Sequence, residues 1–246
     1  MIVVSKITKS FGSRLVLDDI SFEARPGESL FILGKSGVGK SVLLKLIVGL
    51  IASDQGSISV GGQKVDVENP GLLAQVRRKC GLVFQFPALL DSATVFENIA
   101  FGLRARGLVE DPNLIEPRVI EQMRTVDLDT SFLNSYPNQL SYVAQKKVSI
   151  ARTLAVSPDY LLFDEPTTGM DPVATAVLNE LLKKLKRELN VTTIVVSHDI
   201  KSALACADRL ILIDHGKIVF DGEPKNFKSS NVPLAIDFRE GVSLGK

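Results

Sequence analysis

The eight residues Gly34-Lys35-Ser36-Gly37-Val38-Gly39-Lys40-Ser41 limit what this chain can become more than any other stretch. They fit the spacing G-x-x-x-x-G-K-[ST], and the flanking residues supply the context that this spacing needs. Before them, Ser29-Leu30-Phe31-Ile32-Leu33 reads as a strand buried on both faces. After them, from Lys40 to Leu50, apolar residues recur at helical spacing. Glycines between a strand and a helix let the backbone curl until its N–H groups point inward at phosphate oxygens, and the positive end of the helix adds to that field. In such a loop Lys40 reaches the β- and γ-phosphates of a nucleotide, and the Ser41 hydroxyl ligates magnesium. A chance glycine turn has no reason to carry both the strand and the helix.

A second motif belongs with the first. Leu161-Leu162-Phe163-Asp164-Glu165 is an apolar strand delivering two adjacent carboxylates at its carboxyl end, where doubly wound sheets bind ligands. Acids at strand ends are common, so the pair takes its meaning from the phosphate loop. Asp164 suits magnesium, directly or through water, and Glu165 suits the polarisation of a water that attacks a γ-phosphate.

The rest of the chain organises around these motifs. Alternation and β-branched content predict an antiparallel pair, Ile2 to Thr8 and Val16 to Phe22, turning near Phe11-Gly12-Ser13. A strand Ser57 to Val60 leads to a hairpin at Gly61-Gly62, a helix ends near Cys80, and a strand Leu82 to Gln85 follows. From about 86 to 157 helical patterns run without a strong strand signal, as in an inserted α-helical subdomain. Strand character returns at Tyr160 to Phe163 and Thr192 to Val196, with an amphipathic helix, Val173 to Asn190, between them, which predicts a parallel sheet. Arg209 to Ile213 and Lys217 to Phe220 flank Asp214-His215-Gly216 as a hairpin would. The expected architecture is α/β: a P-loop NTPase core with a mostly parallel sheet, an N-terminal antiparallel β subdomain and the helical insertion. It forms one nucleotide-binding unit over residues 1–246, with a C-terminal tail from about 222 to 246.

Composition narrows the class. With 29 basic and 28 acidic residues the net charge is +1, which gives no general attraction to nucleic acid. Cys80 and Cys206 lack metal-ligand spacing and read as buried thiols of a reducing cytosol. The opening Met1-Ile2-Val3-Val4-Ser5-Lys6 has no secretory apolar core. The apolar stretch Val42 to Ala52 is interrupted by Lys45 and falls short of the roughly 20 residues of a membrane helix. A cytoplasmic protein is expected.

The phosphate loop, Gln85, Ser141, Asp164-Glu165, Asp171 and His198 follow one another in the order and spacing of the ATP-binding-cassette ATPases, and the chain resembles that family over essentially its whole length. The resemblance implies ATP and Mg²⁺ as ligands and hydrolysis of ATP to ADP and phosphate coupled to transport. Its implied partners are a second nucleotide-binding subunit, as homodimer or heterodimer, and integral membrane permease subunits that hold the protein on the inner face of the cell membrane. It assigns Gln85 to magnesium, the attacking water and sensing of the transporter, and His198 to the γ-phosphate. It assigns Phe11 to stacking on adenine and Asp171 to a loop crossing the dimer. A neutral imidazole at His198 can donate to the phosphate and keep water and Glu165 in line. Read alone, Gln85 is equally a surface amide, His198 a structural histidine, Phe11 a turn-anchoring core aromatic, and Asp171 a helix cap before Pro172.

One segment departs from the family. Where the signature is normally Leu-Ser-Gly-Gly-Gln, this chain has Leu140-Ser141-Tyr142-Val143-Ala144. Ser141 can still cap a helix and bind the partner's γ-phosphate, but Tyr142 and Val143 restrict the backbone and add bulk. Slow hydrolysis, or pairing with a subunit of intact signature, is expected. Phe86 to Leu90 and Val95 to Phe101 resemble the groove that receives a permease helix. The residues before the signature look import-type, while Val95 to Gly102 and Asp237-Phe238-Arg239-Glu240-Gly241 resemble the ATPases of Mla-type phospholipid trafficking. Amino-acid or other small-solute import competes with phospholipid as cargo. A soluble cassette protein of translation or DNA repair, and a regulatory ATP-binding module with weak hydrolysis, are further readings. A single cassette without coiled coil weighs against the former, and retained Glu165 and His198 against the latter.

Overall fold

A computed structural model of the chain describes residues 1–105 and 112–240; residues 106–111 of the expected helical insertion and 241–246 of the expected tail, Gly241 included, lie outside them. Strands β1 (Ile2–Phe11) and β2 (Arg14–Ala24) pair antiparallel down to Phe11 and Arg14, with Gly12 at φ +58° opening the tight turn. Next come β3 (Ser29–Leu33), buried throughout, and helix α1 (Lys40–Ile47). The helix stops three residues short of the expected Leu50. Gly49 takes φ +65° and the Leu50 N–H reaches back to the Lys45 carbonyl at 2.8 Å, a left-handed end that caps the helix.

Strands β4 (Gln55–Val60) and β5 (Gln63–Lys64) form the hairpin across Gly61-Gly62, completing a sheet of order β2-β1-β4-β5. Helix α2 (Pro70–Lys79) runs directly into β6 (Cys80–Val83). This strand starts two residues earlier than expected because it pairs with β7 (Tyr160–Asp164) in the register Cys80 to Tyr160 through Val83 to Phe163. Phe84 and Gln85 are therefore carried off the sheet edge. Between β6 and β7 lie α3 (Val95–Ala105), α4 (Ile115–Thr125) and α5 (Tyr142–Leu154), with short 3₁₀ turns at Pro112–Leu114, Thr130–Phe132 and Pro137–Gln139.

Helix α6 (Pro172–Leu189) starts on Asp171, whose carboxylate accepts the Ala174 N–H at 2.8 Å, and ends at Asn190 in a left-handed conformation. Its Leu178, Leu181, Leu182 and Leu185 form one buried stripe at helical spacing. The chain continues through β8 (Thr192–Ser197), α7 (Ile200–Cys206), β9 (Arg209–Asp214), β10 (Lys217–Gly222), α8 (Pro224–Lys228) and α9 (Pro233–Glu240). The second sheet has the order β10-β9-β3-β8-β7-β6, parallel except for the β9–β10 hairpin at its edge.

That sheet separates two cores, and the alternation of strand side chains decides which residue serves which. Phe31 and Leu33 of β3 face the helices α3 to α8, whereas Leu30 and Ile32 face α1 and the antiparallel sheet. After residue 222 helix α8 stays attached: Phe227 is fully buried and meets Phe220 edge-to-face at 5.1 Å between ring centres. Cys80 and Cys206 are both buried, and desolvation pushes the Cys206 thiol up to about 11, which leaves it unreactive.

Candidate functional site

Strand order sets the site. β8 lies between β3 and β7, so the loop after β3, the acids at the end of β7 and His198 after β8 converge at one edge of the sheet. The loop is held tight from below. Gly39 caps α1 at φ +105°, and a Cβ there would sit 2.8 Å from both Val16 and Leu17. A Cβ on Gly34 would sit 2.6 Å from the Ile213 carbonyl oxygen and 2.8 Å from Val38. Val38 itself packs against the core.

Lys40 is 4% exposed. Its Nζ donates to the carbonyls of Gly34 at 2.8 Å and Lys35 at 3.0 Å and lies 3.2 Å from Glu165 Oε1. Ser41 Oγ donates to Asp164 Oδ1 at 2.6 Å. Glu165 takes φ +45°, a left-handed conformation that costs a non-glycine residue about 1–3 kcal/mol. This turns its side chain back over the loop. There Oε2 lies 2.7 Å from His198 Nδ1, accepts the Thr168 hydroxyl at 3.2 Å and the His198 main-chain N–H at 3.3 Å.

The charges follow from these contacts. Burial works against Glu165 ionising, but the His198 hydrogen bond and the Lys40 charge outweigh it, and the carboxyl lies below its ordinary value. The same bond, acting against partial burial, raises His198 above its ordinary 6.5. With Nδ1–H given to Glu165, donation from Nε2 as well requires the imidazolium, the form this pairing favours.

A cleft of about 780 Å³ opens above the loop, lined among others by Lys35, Ser36, Gly37, Gln85 and Phe11. Phe11 is half exposed, with Lys9 Nζ 5.3 Å from the ring centre, so it anchors no core. Gly34, Val38 and Asp164 lie behind its lining, and Ser141 and Asp171 do not line it within one chain. Ser141 caps α5 through the Ala144 N–H at 3.3 Å, and Asp171 caps α6.

Several residues escaped sequence reasoning. Thr168 orients Glu165, and Arg14 donates to the Gly37 carbonyl at 3.3 Å. Asn98 is fully buried and holds the turn before α3, exchanging bonds with the Leu90 main chain and donating to the Ala93 and Thr94 carbonyls. The surprise is Tyr142. Its hydroxyl donates to the Gln85 carbonyl at 3.3 Å, beside the ammonium of the fully buried Lys146, so its ring turns inward and does not simply add outward bulk.

Ser41 and Asp164 place two hard oxygen donors side by side, and among the described residues no cluster of three or more His, Cys, Asp or Glu could cage a metal. That donor set fits Mg²⁺ held partly by substrate phosphates and water.

A curled glycine loop on a helix N-terminus, with a buried lysine and an acid–imidazole pair above it, defines a nucleoside-triphosphate hydrolase of the P-loop class. The family model described as "ABC transporter" matches residues 17–168, and the chain belongs to this family of ATP-hydrolysing transporter subunits. It is 34% identical over 245 residues to the intermembrane phospholipid transport system ATP-binding protein MlaF of Haemophilus influenzae, covering 100% of this chain and 92% of that protein. To the sulfate/thiosulfate import ATP-binding protein CysA of Nitrosomonas europaea it is 37% identical over 247 residues, covering 99% of this chain and 66% of the relative. Among solved structures, the ATP-binding cassette MJ0796, a dimer in a post-hydrolysis state bound to ADP and Pi, superposes with a TM-score of 0.81. Identity to that cassette is 32%, covering 91% of this chain and 99% of MJ0796.

Proposed function

We propose that this chain is the ATP-hydrolysing subunit that energises a membrane transporter, and that the transporter moves phospholipid. The observation that carries the hydrolytic part is the alignment of Lys40, Glu165 and His198 over the phosphate loop. When a nucleotide enters, Lys40 Nζ exchanges its carbonyl and Glu165 partners for β- and γ-phosphate oxygens. Glu165 Oε1 is then free to accept a proton from the attacking water, while His198 and Thr168 keep Oε2 fixed. His198 Nε2 is left towards the γ-phosphate, to which it donates when the ring is protonated. Mg²⁺, when bound, offsets phosphate charge; Ser41 and Asp164 would hold it, with Gln85 at hand. Phe11 stacks on adenine at the mouth of the cleft.

Ser141 and Asp171, both outside their own chain's cleft, act on a second nucleotide-binding subunit; the dimeric state of MJ0796 supports this. The permease docks on the helices between about 86 and 157. A groove of about 490 Å³ lined by Leu90, Ala93, Glu97, Phe101 and Arg104 supports that, as does the exposure of Phe86, 68%. Among the described residues no helix is long and apolar enough to cross a membrane; held by its permease, the protein sits peripherally on the inner face. Nothing in its near-neutral charge favours nucleic acid.

Similarity to MlaF supports phospholipid as cargo, and comparable identity to CysA supports small-solute import as the second reading. Reconstituting the chain with its co-purifying membrane partner and measuring ATP turnover separates them. Phospholipid release or uptake that stops with Glu165→Gln is the expected result. Turnover stimulated by a small solute and indifferent to lipid, or a protein that co-purifies with no membrane protein, would reject the assignment.

A further inference from the structure

The segment from Phe84 to Ala88 leaves β6 for the helical lobe, and its carbonyls bond to side chains of a single helix. Lys146 Nζ donates to the Phe84 carbonyl at 3.0 Å and to that of Gln85, and the Tyr142 hydroxyl donates to the same Gln85 oxygen at 3.3 Å. Further along, Arg152 donates to the carbonyls of Pro87 at 3.2 Å and Ala88 at 2.8 Å. Tyr142 and Lys146 are one helical turn apart on α5, and the ammonium also lies 6.0 Å from the tyrosine ring centre. Lys146 is fully buried, and that desolvation draws its amine down to about 8. A fully buried amine whose named hydrogen-bond acceptors are main-chain carbonyls fixes the backbone it touches.

The other end of this arrangement is Ser141, the N-cap of the same helix. We propose that Tyr142 and Lys146 are positioning residues for Gln85, fastening its main chain to the serine-capped end of α5 so that the two move together. The departure from glycine in the signature thus supplies a hydrogen-bonding group that the glycine form lacks. This inference rests on the proposed placement of Gln85 at the reacting phosphate.

The test compares steady-state ATP hydrolysis and fluorescent-nucleotide binding in the full chain, assembled with its partners, for Lys146→Met, Lys146→Gln, Tyr142→Phe and Gln85→Ala. Methionine removes the donor at similar length. It is expected to lower kcat roughly tenfold, the scale seen when groups that orient a reacting residue are lost, with KM and nucleotide affinity nearly unchanged because the phosphate loop is untouched. Lys146→Gln, which still donates, recovers part of that loss. Tyr142→Phe keeps the ring and lowers kcat roughly threefold. Wild-type kcat in both Lys146→Met and Tyr142→Phe overturns the proposal if Gln85→Ala is impaired. So does a fall in kcat matched by equal losses of nucleotide affinity and melting temperature. If Gln85→Ala itself turns over normally, the placement of Gln85 fails first. Should Lys146→Met not fold, Tyr142→Phe decides.

Discussion

At Glu165 burial disfavours the charge while Lys40 and His198 favour it more, and the residue accepts a left-handed backbone to meet them both. Glu165→Gln keeps the shape and removes the base; turnover should fall at least roughly a hundredfold while nucleotide affinity persists. Equal phosphate release by both forms would remove Glu165 from the chemistry. The His198 bond also has a pH signature. Because His198 is raised, its contribution to stability is complete below 6.5 and is lost as pH rises through the raised value. Because Glu165 is lowered, the carboxylate's contribution is lost only as pH falls through its depressed value. The chain has two histidines, so NMR titration is direct: His198 should titrate above 6.5 and fall back in Glu165→Gln. A His198 indifferent to that substitution would contradict the pairing. Lys40, Ser41, Asp164 and Glu165 are legible because strand ends and short spacings place them, and His198 through the resemblance to the family. Tyr142 was not, because its partner lies 57 residues away and is brought near only by packing of the helical lobe.

Elements were legible where pattern and burial coincide. β3 and β8 are buried on both faces and carry the apolar runs Leu30 to Leu33 and Ile194 to Val196, and α6 shows its leucine stripe in the letters alone. Boundaries set by tertiary partners were harder. β6 begins where β7 offers it a register, and α1 ends where Gly49 turns left-handed. The expected tail carries α8, which Phe227 locks against β10. Phe227→Ala should therefore cost about 3–5 kcal/mol in urea unfolding, as for other buried aromatics. A loss below about 0.5 kcal/mol, the scale of surface changes, would mean that α8 is not part of the cooperative core.

In the molecule as a whole, the parallel sheet brings its chemistry to one edge while Ser141 and Asp171, which cap α5 and α6, do not line the same chain's cleft. That division makes sense for two copies, or two related chains, closing over shared nucleotide. Glu165→Gln with ATP should sediment as a dimer and return to monomer with ADP; a monomer under both conditions would leave Ser141 and Asp171 as helix caps alone. All of this depends on the grip of the loop and Lys40 on a triphosphate. Titration calorimetry of MgATP into wild type and Lys40→Ala measures that grip directly. Binding by wild type that weakens roughly tenfold or more in Lys40→Ala, ~1.4 kcal/mol, is the expected result, and equal affinity in both, or none in wild type, contradicts it.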